Sequence, residues 1–193
     1  MLYLYIVVIN MDIKLEKIDM NSELDGLDVM NEIARDDSIY GESPLDEEID
    51  EYLYRGFLLL SEEDANDMDN PIYRYFITLD DKKIGYADIK GKLDDETRRI
   101  GGNIGIVLLK KYRNKGLGKV VMSMLLEKAY ENGLKDVLVT TSPDNTNMRK
   151  LCESLGGNMT DIDGHCHYWF KKKEKIHKMW VFLKKIKIIG RYK

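Results

Sequence analysis

Two cysteines, three prolines and three histidines in 193 residues exclude several kinds of protein at once. Cys152 and Cys166 are too few for a disulfide framework and form no Cys-x-x-Cys pair, so a reducing compartment is expected. His165 and His167 flank Cys166, but adjacent residues on a strand point to opposite faces and no second ligand cluster exists, so no metal is expected. No apolar run approaches the roughly 20 residues of a membrane span. The N-terminal run from Leu2 to Ile9 is short and has no basic residues ahead of it, which argues against a signal peptide. It reads as an extra strand or a leader over residues 1–10, with Met11 as an alternative start, and the protein is expected to be cytoplasmic.

What is present is an ordinary globular composition, 44% hydrophobic and 33% charged, which excludes disorder over most of the chain. The charge is unevenly placed. Residues 171–193 hold ten Lys and Arg against one Glu, a net +9, which leaves −13 on the preceding 170 residues of a chain whose total is −4. An acidic body argues against nucleic acid as partner and suits a cationic amine, although solubility alone would also explain it.

Periodicity predicts a strand at Ile13 to Ile18, helices over about Leu24 to Arg35 and Asp46 to Leu60 joined by a turn at Gly41 to Pro44, and an acidic loop from Ser61 to Asn70. Strands are predicted over Ile72 to Ile77 and Ile84 to Lys90 around a turn at Asp80 to Lys83. A polar loop from Leu93 to Arg99 precedes an apolar strand at Ile104 to Leu109. A helix from Leu117 to Gly133, a strand at Val137 to Thr141 and a helix from about Asn145 to Gly156 follow. Met159 to Ile162 and His165 to Phe170 close the order as a hairpin. This describes one α/β (α+β) domain around a single sheet, over residues 11–170.

The informative segment runs Leu109-Lys110-Lys111-Tyr112-Arg113-Asn114-Lys115-Gly116-Leu117-Gly118-Lys119, where an apolar strand enters a basic, glycine-bearing turn that opens a helix. The first helical turn leaves N–H groups unpaired and the helix dipole favours negative charge there. The segment fails as a P-loop, because Arg113 and Val120 stand where Gly and Ser/Thr are needed. It fails as a dinucleotide fingerprint, because Val121 replaces the third glycine. Arg113, Gly116 and Gly118 complete the third pattern, Arg/Gln-x-x-Gly-x-Gly/Ala between a strand and a helix.

With Gly101-Gly102-Asn103-Ile104-Gly105 ahead of it, this segment resembles the GNAT superfamily of N-acetyltransferases over residues from about 71 to 170, in a bacterial branch of uncharacterised predicted acetyltransferases where a Gly-Gly-His-Ile-Gly-Tyr run is usual. Asn103 and Ile106 replace the His and the aromatic residue. The resemblance implies a GNAT fold, with a mixed central sheet of six to seven strands flanked by about four helices, and acetyl-coenzyme A as cosubstrate. It implies that Arg113, Asn114, Lys115, Gly116, Leu117, Gly118 and Lys119 hold the pyrophosphate and that Val107, Leu108 and Leu109 pair with the pantetheine arm. Val107 or Leu108 would supply the amide that polarises the thioester, in a gap where this strand splays from the Val137 strand. Asn145 would contact the cofactor, or cap its helix.

Acetyl transfer needs a neutral amine, a stabilised oxyanion and a proton for the departing thiolate. Many relatives place a Tyr acid seven residues after the Asn; here that residue is Cys152, a candidate acid that also belongs to an apolar stripe. Asp88 and His167 are the candidate bases, and a chain of waters is an equal alternative. The function expected is direct acetyl transfer in a ternary complex to a small-molecule or peptide amine. The alternative is a catalytically weak acyl-coenzyme A sensor or interaction module. Residues 171–193 read as a basic amphipathic helix, with Ile176, Met179, Trp180, Leu183 and Ile186 on one face, suited to a patch on the domain or a homodimer mate, or to an acidic surface.

Overall fold

Asp80 and Asp81 both take left-handed backbone, at φ 49° and 63°, and their two-residue turn sets Leu79 against Lys82 in the first hairpin. Aspartate tolerates that region better than most side chains, and a turn with two positive φ values matches the twist of the strands it joins. The computed structural model describes residues 12–36, 48–162 and 164–172. The leader with Met11, the turn at Gly41 to Pro44, Asp163 and the tail beyond Lys172 lie outside the described residues.

The elements are β1 (Ile13–Lys17), α1 (Asp25–Ala34), α2 (Glu51–Asn66), β2 (Ile72–Leu79), β3 (Lys82–Lys90), β4 (Ile104–Leu108), α3 (Leu117–Glu131), β5 (Asp136–Thr141), α4 (Thr146–Ser154), β6 (Asn158–Ile162) and β7 (His165–Lys171). A π-helical turn at Thr97–Gly101 precedes β4, and a 3-10 turn at Lys110–Tyr112 follows it. The order is the one expected, and the fold is α+β as expected. Its strands form two antiparallel sheets, β1-β2-β3-β4 and β5-β7-β6, where periodicity alone suggests one continuous sheet.

Helix α2 differs from the sequence expectation. It begins at Glu51 because the Asp50 carboxylate accepts the Leu53 N–H at 2.8 Å. It then runs on to Asn66, through most of the segment expected as an acidic loop. One bond within the helix and one tertiary ion pair lie in that extension. Ser61 is buried, with its hydroxyl on Phe57 O at 2.7 Å, and Asp64 meets Arg74 of β2 at 2.6 Å. The apparent lack of anchors in Ser61 to Asn70 was a property of apolar side chains only.

The β1–β4 sheet is covered on both faces. Ala87, Ile89, Ile104 and Leu108 pack with Val121, Met122 and Leu125 of α3. Phe76 and Ile18 pack with Tyr54 and Leu58 of α2 on the other side. Each such side chain removed from water contributes about 1.5–3 kcal/mol, so the two layers fix where β4 and the start of α3 lie.

Candidate active site

The end of β4 and the start of α3 are joined by a loop with two left-handed residues, Asn114 at φ 59° and Gly116 at φ 79°. Gly116 is the N-cap of α3, and no side chain caps the helix. A Cβ on Gly116 would meet nothing within 4 Å, so this glycine is required by its backbone angle and the space beside it is open. At Gly118 a Cβ would lie 3.6 Å from Leu151 Cδ2, an ordinary contact. The uncapped first turn therefore presents its amides to an open approach, the arrangement that favours an anion.

The basic side chains around this loop are mostly engaged. Arg113 donates from Nε to Leu108 O at 2.6 Å and pairs with Asp36 at 2.6 Å. It thus ties the loop back to β4 and to the end of α1. Lys111 pairs with Glu32 at 3.0 Å, Lys115 lies 5.9 Å from the Tyr112 ring centre, and Lys119 Nζ is 3.4 Å from Ser154 O.

Strand parity assigns the amides of β4. Leu109 N–H donates to Ile84 O at 2.9 Å, which makes Leu109 and Ile84 a hydrogen-bonded pair. Along the same register Val107 with Tyr86, and Gly105 with Asp88, belong to that series. Val107 therefore directs its N–H into β3. Ile106 and Leu108 direct theirs away from β3, and the Leu108 carbonyl on that side already receives Arg113. Of the two amides expected to polarise a carbonyl, only that of Leu108 faces outward. Ile106, which the sequence expectation did not name, directs its amide the same way as Leu108, as alternation along the strand requires.

What β4 faces on that side is set by Asn103. Its backbone N–H donates to Leu138 O at 2.7 Å, and its side-chain oxygen accepts the Leu138 N–H at 2.9 Å. Its side-chain NH2 donates to Lys90 O at 2.9 Å, in place of the backbone N–H diverted to β5. Gly102, at φ 66° and packed against Leu138 O, makes the turn. Beyond Asn103 β4 keeps β3 as its ladder partner while β5 pairs with β7. Among the described residues, Asn103 makes the hydrogen bonds that link β4 to β5.

Asp88 sits beside that separation. A Cβ on Gly105 would come 2.8 Å from Asp88 Oδ2, so the glycine makes room for the carboxylate over β4, one residue before Ile106. Asp88 also meets Lys90 Nζ at 3.0 Å. Burial, with Asp88 adding to it, pushes the neighbouring Tyr86 phenol well above its usual value, so Tyr86 stays neutral.

The remaining candidates fall elsewhere. His167 is buried, with Nε2 2.8 Å from Arg99 O of the π-helical turn. Facing a carbonyl, Nε2 is the donor; among the described residues Nδ1 has no partner. Cys152 is fully buried in the core, and burial pushes its thiol up to about 12. Asn145 caps α4, accepting the Met148 N–H at 3.1 Å. Among the described residues no group of three or more His, Cys, Asp or Glu could hold a metal, and no helix is long and apolar enough to cross a membrane.

Residues 28–156 match the model of the acetyltransferase (GNAT) family, a span that includes most of α1, the Asn103 junction, β4, the loop and α4. The chain belongs to the GNAT family. Solved structures share its fold. The microcin C7 self-immunity acetyltransferase MccE, crystallised with acetyl-CoA and AMP, is 18% identical with a TM-score of 0.59, over 85% of this chain and 94% of that one. An acetyltransferase from Agrobacterium tumefaciens is 15% identical with a TM-score of 0.57, over 83% and 91%. The Campylobacter jejuni N-acetyltransferase PseH, in complex with acetyl coenzyme A, is 14% identical with a TM-score of 0.53, over 83% and 99%. In this GNAT chain the loop amides follow the end of β4, and Asp88 lies over Gly105 nearer the start of that strand. The structure leaves Cys152 in the core and Asn145 as a helix cap.

Proposed function

We propose that this chain transfers an acetyl group from acetyl-coenzyme A to an amine, by direct transfer in a ternary complex over a domain spanning residues 11–170. One observation carries the reading. The uncapped start of α3 at Gly116 continues a strand whose Ile106 and Leu108 amides face a gap between two sheets. A diphosphate fits the first feature and an extended amide-bearing arm fits the second. MccE and PseH, both crystallised with acetyl-coenzyme A, support the choice of cosubstrate.

The cosubstrate supplies the acetyl group as a thioester. The amides of Asn114 to Gly118 hold its diphosphate, since the Lys119 N–H already donates to Gly116 O at 3.2 Å, and Arg113 positions them by fastening the loop to Leu108 and Asp36. The Ile106 and Leu108 amides pair with the arm and stabilise charge developing on the carbonyl oxygen; a preorganised donor of this kind is worth about 2.7–4 kcal/mol. Asp88 takes the first proton from the incoming ammonium, directly or through a water; the amine nitrogen then attacks the thioester carbon, and the second proton it loses as the C–S bond breaks passes to water or to the departing thiolate. Orientation of amine against thioester supplies up to about 7–11 kcal/mol in favourable systems. No protein acid is required, because a thiolate leaves as the anion, and Cys152 is a packing residue.

A second reading, a catalytically weak acyl-coenzyme A-binding module, is favoured by the Asp88–Lys90 pair, which occupies the candidate base. Thiol release measured over polyamines, amino acids, aminoglycosides and peptide N-termini separates the two. Turnover on any acceptor supports the enzyme; tight binding with no turnover on all of them supports the module.

A further inference from the structure

His167 is a costly residue for the place it fills. It is 1% exposed in β7, the middle strand of the second sheet, and its Nδ1 is unpartnered among the described residues. A buried polar atom without a hydrogen bond destabilises a fold, and an apolar side chain at this position would leave none. What the imidazole adds is reach. Its Nε2 donates to Arg99 O at 2.8 Å, near the end of the π-helical turn Thr97–Gly101, where the last carbonyls lack donors within the turn. The turn buries none of its own residues. Its first bonds are local, from Thr97 N–H to Asp94 Oδ1 at 2.8 Å and from Arg98 N–H to Asp94 O at 2.9 Å. Gly102 follows directly, donating its N–H to Thr97 O at 2.5 Å, and Asn103 then joins β5 at Leu138.

We infer that His167 is a positioning residue that fixes the angle at which β4 leaves β5, and so the width of the gap beside the Ile106 and Leu108 amides; its part in catalysis rests on the acetyl-transfer reading above. Two ties hold the segment entering β4 to the second sheet, Asn103 to β5 and His167 to β7. Thr140, the cross-strand partner of His167, lies two residues beyond Leu138. The second tie is therefore displaced from the first by one strand spacing of about 4.8 Å and by about 6.6 Å along the strands. One tie alone would let β4 pivot about Leu138. A second, offset in both directions, removes that freedom. Leu108 stands five residues from Asn103, about 16 Å along the strand, so a rotation of about 5° carries its amide about 1.4 Å. A misplacement on the order of 1 Å between reacting groups costs up to about a hundredfold in rate.

Isothermal titration with two probes reads the loop and the gap separately, because ADP carries the diphosphate alone and coenzyme A adds the pantetheine arm. The amide nitrogen of His167→Gln extends far enough to meet Arg99 O, whereas that of His167→Asn stops at the level of Nδ1. His167→Asn should weaken coenzyme A about tenfold and leave ADP within about twofold, with the KM for acetyl-coenzyme A rising in step. His167→Gln should restore most of that loss. Equal coenzyme A affinity in the wild type and His167→Asn overturns the inference. So does an equal loss of both probes, which makes His167 a residue of general stability. A fall in kcat of about a thousandfold in both variants, with coenzyme A still bound, overturns it too and makes His167 a base. A wild type that binds neither probe removes the acetyl-coenzyme A reading itself, and the inference with it.

Discussion

Asn103 and Leu138 exchange two hydrogen bonds, one through the backbone N–H of Asn103 at 2.7 Å and one through its side-chain oxygen at 2.9 Å. The same side chain reaches Lys90 on β3. One amide thus stands in for a strand residue on both sides and holds the two sheets together where they begin to part. Asn103→Leu leaves the Lys90 carbonyl and the Leu138 N–H buried without partners. At about 1–3 kcal/mol for each, the loss of stability should be about 2–6 kcal/mol by urea denaturation. The KM for acetyl-coenzyme A should rise with it.

Gly118→Ala separates the cofactor role from the fold. The added methyl makes an ordinary 3.6 Å contact with Leu151, and alanine is favoured over glycine in a helix by up to about 1 kcal/mol. The melting temperature should hold or rise slightly, while the affinity for coenzyme A falls by about tenfold or more, a difference of about 1.4 kcal/mol. A variant that loses both together would place Gly118 in the packing alone.

Gly105 and Asp88 should behave as one unit. Gly105→Ala forces the Asp88 carboxylate to move, since the new Cβ would fall 2.8 Å from Oδ2. Its loss of kcat should resemble that of Asp88→Asn, and the double substitution should cost little more than either alone. Full additivity in that cycle would show that Asp88 acts elsewhere.

Cys152→Ala should retain more than about a tenth of kcat, because a core thiol takes no part in the proton transfers. A thousandfold loss would overturn its assignment to packing. The thiol also gives a pH signature. Burial raises it from the usual 9.0 to about 12, so the folded state keeps the proton that the unfolded state releases. Its contribution to stability is complete below about 9 and is lost as pH rises toward 12. The stability of the wild type to urea should fall over that window more than that of Cys152→Ala.

The order of strands and helices was legible because each element buries a periodic face, and the loop was legible because Arg113, Gly116 and Gly118 fall within one short stretch of sequence. Two features were not. Helix α2 runs past Leu60 because of Ser61 and Asp64, polar residues whose partners Phe57 and Arg74 are tertiary neighbours or backbone atoms. The division between the sheets depends on a side chain acting as backbone, which apolar patterning cannot register. Within the site, Arg113 matched the motif by type but spends its guanidinium on Leu108 and Asp36. Ile106 was passed over although strand alternation places its amide with that of Leu108.

Isothermal titration of coenzyme A into the wild type and Gly116→Asp tests the central claim, that the open amides at the start of α3 grip a diphosphate. The account predicts micromolar affinity, about 8 kcal/mol, for the wild type and a loss of at least about a hundredfold for a carboxylate placed in that space. No heat of binding from the wild type, or equal affinity in the two proteins, would contradict it.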